Sequence, residues 1–402
     1  MSEFQQETAS KHLNKGLQAF LLLAILALGV SISPMQPANA QENGKPEDNA
    51  GAVVCPPDVY LQAPSDCLAL GPSEYLTQMA RLGMVFPLQP LSASVPDPDL
   101  NFLPFLYYKV NPTGTQFYPS QEAAISKQGA ARTLPAGQTL YIVYSQVVDT
   151  GKGIYFQLPS GEWMPGDGSR ISIPVFQGLE FHATPRNAFG WVLSEADVKR
   201  EPNFLLSNSS IRTLARFNIV QVYSVQNIEG VEWYLIGPNE WVEGRMVAAV
   251  SPGASAPQGV SNGRWIDVNL AEQTLAVYDN HQLVFATVIS TGLQPFWTRP
   301  GLFQIYKKKD IETMSGSFEA NRSDYYYLEN VPWTMYFDKA RALHGTYWHT
   351  YFGYPQSHGC VNLSSGDSHW LFNWAKEGDW VYVHDPSGST PTDPEKYGEG
   401  GA

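Results

Sequence analysis

Ser357-His358-Gly359-Cys360-Val361-Asn362, with His344-Gly345-Thr346 sixteen positions upstream of its cysteine, is the stretch on which the reading of this chain turns. The 402 residues include only three cysteines: Cys55 and Cys67 lie near the start, and Cys360 stands far downstream. A cysteine attacks a carbonyl as the thiolate, and its ordinary pKa of about 8.5 leaves it mostly protonated at neutral pH. It therefore needs an imidazole to take its proton and return it to a leaving amine. Five of the eight histidines fall between 344 and 384, and His344, His349 and His358 are nearest to Cys360. Gly359 lets the backbone approach a substrate closely. The N–H groups of Gly359 and Cys360 are the expected donors to the oxyanion of a tetrahedral intermediate.

The start of the chain gives Cys360 its context. Lys11 and Lys15 precede a nearly continuous apolar run over 17–32, and Ala38-Asn39-Ala40 offers small residues at peptidase spacing. Residues 1–40 read as a signal peptide, or as a membrane anchor if left uncleaved, so the chain is expected in the cell envelope or outside the cell. In an oxidising compartment Cys55 and Cys67 are expected to pair within the Pro-rich region 41–104, which leaves Cys360 as the reactive thiol. Closing so short a loop is worth ~3 kcal/mol in the chain-entropy model. The net charge is −13 and no segment is basic. This excludes nucleic acid as a partner class.

Aromatic residues at 13%, charged residues at 16%, and 34 glycines with 30 prolines point to a mainly β protein with many turns. Between 105 and 250 the sequence repeats itself. Leu140-Tyr141-Ile142-Val143-Tyr144-Ser145, Tyr155, Pro159 and Glu162-Trp163-Met164 recur as Ile219-Val220-Gln221-Val222-Tyr223-Ser224, Tyr234, Pro238 and Glu240-Trp241-Val242, at an offset of 79 that falls to 78. Apolar and polar residues alternate between turn residues, the signature of strands and hairpins. The period is too long for a solenoid and suits two small barrels, at 105–172 and 173–250. Their Tyr, Pro and Glu-Trp pattern resembles bacterial SH3-like domains, with Trp163 and Trp241 expected in the barrel cores. Residues 251–263 read as a linker.

From Arg264 to Asp385 a further domain is expected. Strands are predicted at 265–270, 274–278, 283–290, 302–306, 333–337 and 380–384. A short helix is predicted over 73–82. One other helix stands out, with Ser364 to Asp367 at its start, Trp370, Leu371 and Trp374 on its apolar face, and Gly378 to end it. Residues 386–402 read as a disordered tail.

The two motif blocks resemble the catalytic signature of the L,D-transpeptidases, the YkuD-type domain. Asp267-Val268-Asn269-Leu270, Ser290-Thr291-Gly292 and Thr298-Arg299-Pro300-Gly301 are similar to that domain's opening strands, so the resemblance covers about 264–385. It implies a β-rich catalytic domain and a cysteine acyltransferase acting on peptidoglycan stem peptides, without a metal or cofactor. Cys360 would attack the carbonyl before a terminal D-alanine, and an acceptor amine would resolve the acyl-enzyme. His344 would be the base, oriented by the Gly345 carbonyl, with His358 as the substitute. His358 and Gly359 would shape the oxyanion site, and Ser357 and Asn362 would brace the loop or touch substrate. Trp348, His349 and Tyr336 are expected at the substrate cleft, and the SH3-like repeats could hold glycan or wall polymer. Three other readings share these residues. Water as acceptor makes an L,D-carboxypeptidase or hydrolase. His344, His349, His358 and Cys360 as N/S ligands make a zinc hydrolase. The repeats alone make a non-catalytic wall-binding protein.

Overall fold

The computed structural model describes residues 72–84, 88–205, 207–317, 319, 321–322 and 324–398. The signal segment and the expected Cys55–Cys67 bridge lie outside them. The architecture is mainly β, as its alternating patterns require. Two seven-stranded sheets carry it. The first runs Ala93–Ser94, Leu179–Phe181, Gln282–Val288, Thr274–Asp279, Trp265–Asn269, Trp380–His384, Gly301–Gln304. The second runs Val361–Leu363, Arg341–Gly345, Tyr326–Asp338, Thr139–Tyr144, Leu106–Lys109, Ser169–Arg170, and Lys307–Gly316 also pairs with Tyr326–Asp338. Ile266, Val268, Val277 and Phe285 of the first sheet pack against Met335, Phe337, Leu343 and Val361 of the second in one core.

The helix Ser365–Trp374 packs into this core through Leu371, and the Trp370 ring stacks on Phe285 with centroids 4.1 Å apart. Ser364 caps it by accepting from the Asp367 N–H. Lys308 Nζ donates to the carbonyls of Phe372 and Ala375 at its C-terminal end, where cations are favoured. Asp367 does more than sit near the helix start. It is fully buried, accepts from Gly178 N–H at 2.6 Å and Thr287 Oγ1 at 2.7 Å, and so ties the helix to the first sheet. Burial pushes its carboxyl up to about 7 against these hydrogen bonds. The short helix near the start spans Pro72–Arg81.

The two repeats place their strands at matching offsets. Gln146–Asp149, Ile154–Gln157 and Trp163–Pro165 form one meander, and Ser224–Ile228, Val231–Gly237 and Glu240–Glu243 form its counterpart. Trp241 is buried with Trp233 and Leu235, and Trp163 packs on Tyr118 and Tyr155. The repeats also share cores with the residues beyond 264. Thr139–Tyr141 runs parallel to Tyr326–Leu328, and Tyr107, Tyr141 and Val143 are buried with Leu328, Val331 and Tyr347. Phe189, Trp191 and Val250 of the second repeat are buried with Trp265, Tyr278 and Val288. Residues 251–263 contain no helix or strand, yet Ala256 and Val260 pack on that second core. Residues 386–398, expected to be disordered, are placed as well. A 3-10 turn at Pro394–Lys396 leads to Tyr397, whose buried ring lies 5.4 Å from the Arg341 guanidinium. An aromatic ring over a buried cation gives a polar tail an anchor that its composition does not reveal.

Replacing Asp367 with Ala strands the Gly178 N–H and Thr287 hydroxyl in a dry core. Denaturant unfolding of the full chain is expected to show a loss of about 2–4 kcal/mol.

Candidate active site

Arg341–Gly345 and Val361–Leu363 are adjacent parallel strands, with Leu343 opposite Val361 and His344 opposite Asn362. This register brings the two motif blocks together. Cys360 precedes the second strand and turns its sulfur onto the first: Ala342 N–H donates to Sγ at 3.4 Å, and Sγ lies 3.8 Å from the Ala340 carbonyl. A tight hairpin with Lys339 at φ 53° joins Tyr326–Asp338 to Arg341–Gly345 and holds these backbone groups under the thiol.

Gly359 has φ 119°, and a Cβ there would lie 3.1 Å from Arg341 Nε, so the turn before Cys360 needs glycine. Ser357 braces this turn. Its hydroxyl donates to the Cys360 carbonyl at 2.6 Å and accepts from Gly359 N–H at 3.1 Å. Thr298 Oγ1 holds the Gly359 carbonyl at 2.9 Å. The oxyanion expectation is therefore altered at one donor: the Gly359 N–H is engaged by Ser357 and must leave it to meet a substrate.

His344 is buried, and its Nδ1 lies 3.1 Å from the Gly345 carbonyl. A carbonyl only accepts, so Nδ1 carries the proton and Nε2 keeps its lone pair. Gly345 has no room for a side chain, because a Cβ would lie 2.5 Å from Ser368 Oγ. Burial lowers the His344 pKa to about 4, so its ring is neutral at physiological pH. Burial pushes the Cys360 thiol up to about 11, opposed by the Ala342 N–H and the Arg341 cation. The resting pair is a neutral thiol and a neutral imidazole, with the proton still to be transferred.

Both groups line one cleft of about 210 Å³, with His349, His358, Trp348, Tyr351, Ser357, Asn362, Tyr326 and Leu328. His358 lies between the rings of Phe296 and Tyr326, at 4.8 and 5.4 Å. Burial lowers its pKa, with Asp324 opposing. Tyr351 N–H donates to His349 Nδ1 at 3.2 Å, so the His349 proton sits on Nε2. Asn362 Nδ2 lies 2.9 Å from that Nε2 while Oδ1 is buried without a partner; exchanging the two amide atoms puts Oδ1 where it accepts from Nε2–H. Both nitrogens of His349 are thus committed. Among the described residues, no three His, Cys, Asp or Glu side chains form a group that could hold a metal. Trp348 lies 5.7 Å from the His344 ring.

Tyr336 does not line the cleft. It lies on the strand Tyr326–Asp338 with its ring 6.1 Å from that of Tyr306, near enough to Cys360 for the thiolate to raise its pKa, and Tyr326 of the same strand is the tyrosine among the cleft lining. Phe352 is fully buried core, whereas Tyr351 lines the cleft. His369 stacks on Trp333 at 3.9 Å and His384 pairs with Asp267 at 2.8 Å, both away from the thiol.

Sequence reasoning missed two groups. Beneath the thiol, Arg341 pairs with Asp338 at 3.0 Å, and Asp338 is gripped by two nitrogens of Arg299 at 2.9 and 2.5 Å. Across the cleft, Lys109, Gln138, Thr139 and Tyr141 of the first repeat complete the lining. Nothing in the spacing of Arg299, Asp338 and Arg341 hints at the first, and only the parallel pairing in space reveals the second. The loop carrying Trp348 is clamped from both repeats: Tyr107 stacks on Tyr347 at 3.7 Å, Tyr141 Oη reaches the Trp348 carbonyl at 3.4 Å, and Arg216 donates to the Thr350 carbonyl at 2.6 Å.

With the Cys360 thiol at about 11, its alkylation by iodoacetamide is expected to rise about tenfold per pH unit from 7 to 10. A plateau near pH 7 would instead reveal a resting thiolate–imidazolium pair.

Residues 263–383 match the family model described as the L,D-transpeptidase catalytic domain. Among solved structures, an L,D-transpeptidase from Stackebrandtia nassauensis is 29% identical over 34% of this chain and 60% of its own, with a TM-score of 0.26. The catalytic domain of an Enterococcus faecium L,D-transpeptidase is 25% identical over 31% of this chain and all of its own, with a TM-score of 0.28. One from Mycobacterium smegmatis is 18% identical over 40% and 81%, with a TM-score of 0.29. The chain thus spans less than two thirds of the first of these, and no curated protein matches it. Cys360, His344 and all of the cleft lining beyond residue 325 lie in the part of the chain that matches an L,D-transpeptidase catalytic domain, and the first repeat supplies the rest of the lining.

Proposed function

We propose that the chain is a peptidoglycan L,D-transpeptidase that acts through Cys360 and His344. The observation that carries this reading is their meeting in one cleft, with the His344 proton held on Nδ1 by Gly345 and its other nitrogen left basic. A donor stem peptide lies with its penultimate carbonyl carbon against Sγ. The Cys360 S–H proton passes to His344 Nε2 as the S–C bond forms. The tetrahedral intermediate collapses, the C–N bond breaks, and the D-alanine amine leaves with the proton from His344. An acceptor amine then attacks the thioester, gives its proton to His344, and releases the thiol with a new amide bond.

Holding the reactants neutral at rest suits this order. The neutral imidazole keeps its Nε2 lone pair free, and a thiol near 11 is a strong nucleophile once deprotonated; because the transfer from thiol to imidazole runs uphill, it is completed as the S–C bond forms. His358 and Tyr326 form the wall beside the thiol. The signal-like segment 1–40 supports the reading, since the polymer lies outside the cytoplasm.

Incubating the full chain with purified disaccharide-tetrapeptides should give cross-linked dimers that have lost one D-alanine, read by mass spectrometry. Cys360→Ala is expected to abolish them, and His344→Ala to slow them by about 10²–10⁴. Trimmed tripeptides alone would assign the chain to the carboxypeptidase reading instead.

A further inference from the structure

The first repeat forms one wall of the catalytic cleft. Lys109 stands opposite Tyr141 in the antiparallel pair Leu106–Lys109 and Thr139–Tyr144, and Tyr141 stands opposite Leu328 in the parallel pair with Tyr326–Asp338. One row across the sheet therefore runs Lys109, Tyr141, Leu328, and all three line the cleft. The Lys109 ammonium is exposed and lies 5.9 Å from the Tyr141 ring centroid. Tyr141 is buried, and its hydroxyl reaches the Trp348 carbonyl beside His344, so the base of this wall is fixed to the catalytic loop.

The chemistry of the wall is one-sided. No Asp or Glu lines the cleft, and Lys109 is its one charged residue among the described lining. Asp324, which acts on His358, is not part of that lining. A lone cation on a wall of Gln138, Thr139 and Tyr hydroxyls, in a chain of net charge −13, attracts an anionic group of a ligand that enters the cleft.

Resting on the reading of the site as a transpeptidase, we propose that Lys109 is a specificity-determining residue that binds a side-chain carboxylate of the donor peptide. The first repeat thereby selects donors that carry the free acid over donors whose acids are amidated. A charge-assisted contact of this kind is worth about tenfold in affinity.

The test uses the full chain and two disaccharide-tetrapeptides that differ only in whether their side-chain carboxyls are free or amidated. The wild-type chain should prefer the free acid by about tenfold in kcat/KM, mainly through KM, and the preference should shrink with added salt. Lys109→Gln should bring the ratio of the two peptides to about one, and Lys109→Arg should restore it. A wild-type ratio of one, or a ratio that Lys109→Gln leaves unchanged, overturns the proposal. Calorimetry of both peptides with Cys360→Ala, and with Cys360→Ala carrying Lys109→Gln, separates the two claims. Carboxylate-selective binding that depends on Lys109, without turnover by the wild-type chain, sustains the wall and removes the transpeptidase reading. Equal binding of both peptides removes the wall and leaves that reading standing.

Discussion

The parallel pairing of Arg341–Gly345 with Val361–Leu363 is the constraint on which the site depends. Parallel strands cannot be joined by a tight hairpin, so the chain between them must make an excursion, and here that excursion is the loop that carries Trp348, His349 and Tyr351. One pairing thus performs two tasks. It sets His344 beside the turn that carries Cys360, and it brings Trp348, His349 and Tyr351 to the same cleft. Because the strand faces alternate, a slip of one residue would turn His344 away from the cleft. The register is secured by Leu343, Val361 and Leu363, all buried in the main core.

Burial sets the chemical state of the pair. It disfavours every charged form, which raises the thiol and lowers the imidazole, so the two move away from an ion pair. Arg341 works against this at the thiol, but its own charge is spent on Asp338, which Arg299 also holds. The same Arg341 supports the Tyr397 ring and crowds Gly359. This buried network links the tail, the hairpin and the glycine turn to the sulfur.

The repeats extend the two seven-stranded sheets rather than standing apart from them. The first adds strands to the sheet that bears His344, and its tyrosines pack on Tyr347. The second covers the outer face of the other sheet and holds the Thr350 carbonyl through Arg216. Their strand positions were legible because alternating apolar residues and turn residues recur at a fixed offset. Their partners were not, because a strand's sequence pattern reports which face is buried and not which strand lies beside it. The ten-residue strand Lys307–Gly316 escaped notice for a related reason. Its residues are mostly polar and only Met314 is fully buried, so no alternation marks it.

Local order carries local chemistry. The sequence by itself determined a mainly β chain, the helix after Ser364, and the clustering of Cys360 with three histidines, since these follow from short-range patterns and from a motif whose residues lie within twenty positions. Tertiary structure alone decided that Tyr326 lines the cleft, that Ser357 occupies the Gly359 N–H, and that Lys109 shares the cleft with the thiol. Each depends on pairings between residues far apart in the chain, and those are chosen by the packing of whole sheets, which no local pattern encodes.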